Sequence, residues 1–195
     1  MDSAIEKTGL IAQAGTSIRI VFVTMVICCL LYTLVILGLG QTLTPHSTNG
    51  SLVSNGRGEI VGSELLAQMF DQPEYFWPRP SAVDYNAAAA GGSNLSPTNP
   101  ELRERAKALV TQIEASPQNP IPADLVTASG SGLDPNITLA AARYQTERVA
   151  SARGLSVETI MGLLDKYAHR PGGALTPQPL VNVLLVNMEL DRLGK

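Results

Sequence analysis

Four adjacent residues carry the strongest chemical suggestion in this chain: Ser129, Gly130, Ser131 and Gly132. A nucleophilic serine needs a base, and a further group to orient that base. The strand-to-helix elbow that presents such a serine is written G-x-S-x-G, and here Ser129 stands where the pattern needs its first glycine. The two histidines, His46 and His169, have no sequence cue that marks either as the base. A hydrolase acting through Ser129 or Ser131 is thus the alternative, and a tight loop whose hydroxyls cap nearby backbone is the plainer reading. Small residues before a helix also expose successive N–H groups that suit an anion. The phosphate loop G-x-x-x-x-G-K-[ST] requires a lysine, however, and none follows Gly132 before Lys166.

Other chemistries are poorly supplied. Metal binding needs clustered imidazole, thiolate or carboxylate ligands, but the histidines lie far apart and Cys28 and Cys29 fall inside an apolar block. No metal and no cofactor of its own is expected. A net charge of −3 offers little to neutralise a nucleic-acid backbone. The second candidate is Tyr75-Phe76-Trp77-Pro78-Arg79-Pro80, which gathers three of the nine aromatic residues in adjacent positions. It reads as a core plug under a long loop, or as a partner contact through Tyr75, Phe76, Trp77 and Arg79, since Trp, Tyr and Arg dominate interface hot spots.

These residues must be positioned by a chain of 195 residues with an uneven apolar distribution. Residues 20–39 are uncharged, and all but Thr24, Thr33 and Gly38 are apolar. As a helix that block is about 30 Å long, the thickness of a bilayer's hydrocarbon core. A transmembrane helix is expected over 18–40. It is favoured as an uncleaved anchor because the apolar region of a signal peptide is only about 7–15 residues. Lys7 and Arg19 precede the span, and no Lys or Arg follows until Arg57. The positive-inside rule then places residues 1–17 in the cytoplasm and a 41–50 linker and 51–195 domain outside.

All thirteen prolines lie at Pro45 or later, so that domain is broken into short elements. Apolar runs around Ser54-Asn55-Gly56-Arg57-Gly58 predict a hairpin. A short helix is predicted over 63–70, an irregular region over 73–100, and a helix over 100–115 opened by Thr98-Asn99-Pro100-Glu101. Residues 123–137 read as a loop. Thr138 is predicted to cap a helix to Arg153, Ser156 another with Ile160, Leu163, Leu164 and Tyr167 on its apolar face. The segment 181–193 fits strand or helix, with its length favouring helix. The fold class is α+β: one N-terminal transmembrane helix and a small mixed domain with a short sheet and several helices.

In order behind one span, YFWPRPSAVDYN (75–86), GGSNLSPTNP (91–100), LVTASGSGLDPNIT (125–138) and VNVLLVN (181–187) resemble the C subunit of the bacterial Kdp potassium-transporting P-type ATPase. Pro78 departs from the glycine expected in the first motif. The resemblance covers essentially the whole chain and implies a single-pass protein of the inner membrane without bond chemistry of its own. The implied partners are a channel-like A subunit, a B subunit that hydrolyses ATP through an aspartyl-phosphate, and a small F subunit. The resemblance also implies a chaperone role that raises the B subunit's affinity for ATP, the nucleotide entering through the complex and meeting a serine/glycine stretch nearest to Ser129, Gly130, Ser131 and Gly132. That contact conflicts with the charge-derived topology, since ATP is cytoplasmic.

Overall fold

The computed structural model describes residues 9–113 and 118–193. The chain divides into two compact units, Met1–Ser51 and Leu52–Lys195.

The first unit is built on a continuous helix, Leu10–Leu43, of 34 residues, with hydropathy 2.9 and none of its apolar window buried. It comprises α1 (Leu10–Met25), a π-helical stretch (Val26–Leu31) and α2 (Tyr32–Leu43). At 1.5 Å per residue it spans about 51 Å, more than a bilayer core requires. Two threonine hydroxyls within it bond the preceding turn, an arrangement that suits a medium without water: Thr24 donates to the Ile20 carbonyl at 2.8 Å and Thr16 to Ala12 at 2.9 Å. The 41–50 stretch is helical over most of its length. Residues 41–43 complete α2, Thr44 leaves helical geometry, and α3 (Pro45–Thr48) reverses the chain. The Gln41 and Asn49 side-chain amides pair across the reversal at 3.0 Å. Gly40 permits the close approach, because a Cβ there would lie 2.7 Å from Thr48 Oγ1.

The second unit opens with β1 (Leu52–Ser54) and β2 (Ile60–Ser63), antiparallel with a register shift between Val53 and Ser54. Asn55 Oδ1 fixes the turn by accepting from the Arg57 and Glu59 amides at 2.9 and 3.1 Å. The helix expected over 63–70 does not form. Ser63 Oγ accepts from the Leu65 amide at 3.1 Å and makes a local turn, and the Ala67 amide pairs with the distant Leu133 carbonyl at 3.0 Å. Competition from a side chain and a remote strand-like partner removes the helix's own ladder.

Next comes α4 (Pro100–Gln112), capped by Asn99 rather than Thr98, with Asn99 Oδ1 accepting from the Glu101 amide at 2.8 Å. The predicted helix from Thr138 to Arg153 is two: α5 (Leu139–Tyr144) and α6 (Thr146–Arg153), broken at Gln145. Thr138 caps the first, and Gly154, at φ 65°, ends the second in the left-handed region that glycine adopts freely. α7 (Val157–Tyr167) begins at its Ser156 cap.

The 181–193 ambiguity resolves into both states. β4 (Leu180–Asn182) pairs antiparallel with β3 (Asn136–Thr138), and α8 (Val183–Leu193) follows at once. β3 lies partly within what the sequence suggested was a loop. The α+β class holds, with two two-stranded ribbons among the described residues in place of one short sheet. Around β3–β4 and α5–α8 lies one core, with Phe76, Ile137, Ile160, Leu164, Val181, Val186 and Leu190 almost fully buried. Each such side chain contributes about 1.5–3 kcal/mol by leaving water.

Candidate functional site: the aromatic segment and the glycine–serine loop

The aromatic segment has no regular ladder, so its backbone must find partners elsewhere. Two side-chain amides supply them. Asn187, on the buried face of α8, donates to the Phe76 carbonyl at 3.0 Å and accepts from the Phe76 amide at 2.8 Å. Gln145, at the α5–α6 break, does the same for Trp77, accepting from its amide at 2.8 Å and donating to its carbonyl at 3.2 Å. The dipeptide is held as a strand would be, by primary amides in place of a neighbouring backbone. Phe76 is only 1% exposed, so its ring is core. Tyr75, Trp77 and Arg79 are half-buried.

Two arginines brace the segment from α6. Arg148 stacks 4.0 Å from the Trp77 ring centroid and donates to the carbonyls of Pro73 and Tyr75 at 2.6 and 2.9 Å, and to Gln145 Oε1 at 2.7 Å. Burial lowers its pKa to about 10, since every one of those acceptors is neutral. Arg153 donates to the Glu74 carbonyl at 2.6 Å and pairs with Asp191 at 2.8 Å, with its guanidinium 4.9 Å from the Tyr75 ring centroid. Asp191 also accepts from the Tyr75 hydroxyl at 3.2 Å. Burial, then the Asp191 charge, raise the Tyr75 pKa above its ordinary value.

The glycine–serine loop packs against the continuation of the same segment. The Ser129 amide donates to the Pro80 carbonyl at 3.3 Å, and the Gly91 amide donates to the Ser131 carbonyl at 2.7 Å. Ser81 Oγ donates to the Gly132 carbonyl at 2.7 Å and accepts from the Val83 and Tyr85 amides at 3.1 and 3.0 Å. Those bonds sustain left-handed backbone at Asp84 and Tyr85, with φ of 51° and 56°, a conformation that costs about 1–3 kcal/mol for each non-glycine residue. Gly132 sits at φ 69°, and a Cβ there would lie 2.6 Å from Val83 Cγ2 and 2.8 Å from the Gly91 carbonyl. Arg79 closes the arrangement through Asp134 at 3.2 Å and the Ala128 carbonyl at 3.5 Å. Its Nε is buried without a partner among the described residues.

The loop's Ser131 hydroxyl has structural work. Ser131 Oγ accepts from the Leu133 amide at 3.1 Å, Ser129 is buried, and among the described residues no imidazole or carboxylate is hydrogen-bonded to either serine hydroxyl. His169 lies at the edge of the β3–β4 ribbon, bridged to Leu180 through backbone bonds of 2.9 and 2.8 Å. Among the described residues no group of three or more His, Cys, Asp or Glu is placed to hold a metal ion. Three residues that organise the site, Gln145, Arg148 and Asn187, were not singled out from the sequence. Asn187 does carry a signal: it interrupts the apolar positions Val183, Leu184, Val186 and Leu190, and an amide on a buried face must have partners.

The site thus joins all four motifs of the sequence, 75–86, 91–100, 125–138 and 181–187, in one domain behind one apolar helix. The family described as K+-transporting ATPase, c chain, matches residues 14–192. A potassium-transporting ATPase KdpC subunit of Parvibaculum lavamentivorans is 49% identical over 176 residues, which cover 90% of this chain and 94% of that protein. The KdpC subunit of Myxococcus xanthus is 45% identical over 182 residues (91% and 86%), and that of Herpetosiphon aurantiacus 45% over 179 residues (89% and 92%). The chain belongs to the KdpC family of potassium-transporting ATPase subunits. Its role is accessory to potassium transport, and the one helix among the described residues long and apolar enough to cross a membrane fits a single-pass membrane subunit.

Proposed function

We propose that this chain is a non-catalytic subunit that holds an ATP-driven potassium importer together, its domain of residues 52–195 standing outside the bacterial inner membrane. Family membership over residues 14–192 carries this reading. The partners are the channel-like, ATP-hydrolysing and small subunits of the Kdp complex, which perform ion selection and bond chemistry. Lys7 and Arg19 before the span, against no cation between Leu39 and Arg57, support a cytoplasmic N-terminus. With that orientation, any chaperone effect that raises the complex's affinity for ATP passes through the Leu10–Leu43 helix rather than through contact of Ser129, Gly130, Ser131 or Gly132 with nucleotide. The exposed portions of Tyr75, Trp77 and Arg79 are the part of the aromatic segment open to a partner.

Truncation after Ser51, leaving the anchor in place, tests this reading. Purification of the membrane complex is expected to recover fewer associated subunits, and potassium uptake to fall. An intact complex with unchanged uptake would contradict it.

A further inference from the structure

We propose that the cavity between the β1–β2 turn and the C-terminal half of α8 binds an amphiphilic anion: a carboxylate or phosphate ester carried on an apolar body. The cavity is about 660 Å³, within the roughly 300–1,000 Å³ typical of small-molecule sites. Val61, Phe70, Leu184 and Met188 give it an apolar lining. Three guanidinium groups, Arg57, Arg153 and Arg192, line it with the one carboxylate of Asp191, and Glu189 just outside pairs with Arg192, which leaves one positive charge in excess, that of Arg57. Asp191 is already taken, by Arg153 at 2.8 Å and by the Tyr75 hydroxyl at 3.2 Å. Arg192 is held at 3.0 Å by Glu189, a residue outside the lining. The Arg57 guanidinium has no partner among the described residues, although Asn55 fixes the turn that carries it.

These features select the ligand. A small inorganic anion would satisfy Arg57 but leave the apolar lining in water. A neutral amphiphile would cover that lining and leave the Arg57 guanidinium unanswered. An anion with an apolar body satisfies both, because charge-assisted hydrogen bonds to arginine are strong and directional. The site lies wholly within residues 55–192, so it stands whichever side of the membrane the domain occupies.

The test uses the assembled complex in native membranes and a laurate analogue carrying a photoreactive diazirine in its chain. Cross-links are expected on peptides containing Val61, Phe70, Leu184 or Met188. They should weaken at least about tenfold in a chain with Arg57→Gln and Arg192→Gln, as expected when two charged hydrogen-bond donors are lost. Both arginines are exposed, so the variant is expected to retain the parent's melting temperature and complex yield. Competition by free laurate would identify a soluble anion as the source, competition by phosphatidylglycerol vesicles a lipid headgroup; either supports the site. Equal cross-linking in the variant, equal labelling by the alcohol analogue, competition by inorganic phosphate alone, or cross-links confined to other subunits would overturn it.

Discussion

The Asn187 side chain grips both backbone polar groups of Phe76, donating to the carbonyl at 3.0 Å and accepting from the amide at 2.8 Å. Asn187 and Phe76 are each 1% exposed, so water cannot replace these bonds. Asn187→Leu keeps the side chain's size but orphans a buried donor and a buried acceptor. The expected cost is about 2–6 kcal/mol, at roughly 1–3 kcal/mol for each unsatisfied group. Thermal unfolding of the full chain in detergent checks this. Gln145→Leu, which releases the half-buried Trp77, should cost less.

Gly132 and Gly130 separate the loop's shape from its chemistry. Gly132→Ala places a methyl against Val83 and the Gly91 carbonyl on left-handed backbone, with an expected cost of about 2–5 kcal/mol. A Cβ at Gly130 meets nothing within 4 Å, so Gly130→Ala should stay within about 0.5 kcal/mol. Equal destabilisation by the two, in the same melting experiment, would contradict the packing role given to the loop.

How legible this architecture was in the sequence depends on whether its signals were local. The long apolar helix, the Asn55 hairpin turn and the caps at Thr138 and Ser156 are set by residues within a few positions of one another, and they form as expected. The absent 63–70 helix and the unexpected β3 depend on partners remote in sequence: Ala67 bonds to Leu133, and Ile137 lies opposite Val181. The α5–α6 break falls at Gln145, whose side chain serves Trp77, 68 residues away. For the candidate site, Tyr75, Phe76, Trp77, Arg79 and the 129–132 loop were visible as unusual residue clusters. Their mutual packing through Ser81 and Gly132 was not, because no local pattern encodes which two loops meet.

Tyr85 makes the domain's stability sensitive to alkaline pH. Its hydroxyl donates to the Arg79 carbonyl at 2.9 Å, and burial, then the Asp84 charge, raise its pKa above 10.0. Below that value the phenol is neutral in folded and unfolded chains, and its contribution is constant. As pH rises toward the folded pKa, the unfolded chain loses its proton first and the contribution disappears. Tyr85→Phe should therefore flatten the decline of stability above about pH 10, and remove one late-titrating phenol from the tyrosinate absorbance curve.

The proposed topology puts the domain outside the membrane, on the side opposite the ATP that the complex hydrolyses. Ser47 is exposed on α3, just past the apolar helix. In Ser47→Cys cells, a membrane-impermeant maleimide is the most direct probe, with the parent chain, whose cysteines Cys28 and Cys29 lie within the span, as control. Labelling of the Ser47→Cys chain in intact cells, and none of the parent, is expected. Labelling of Ser47→Cys only after lysis would contradict it and put the domain on the nucleotide side.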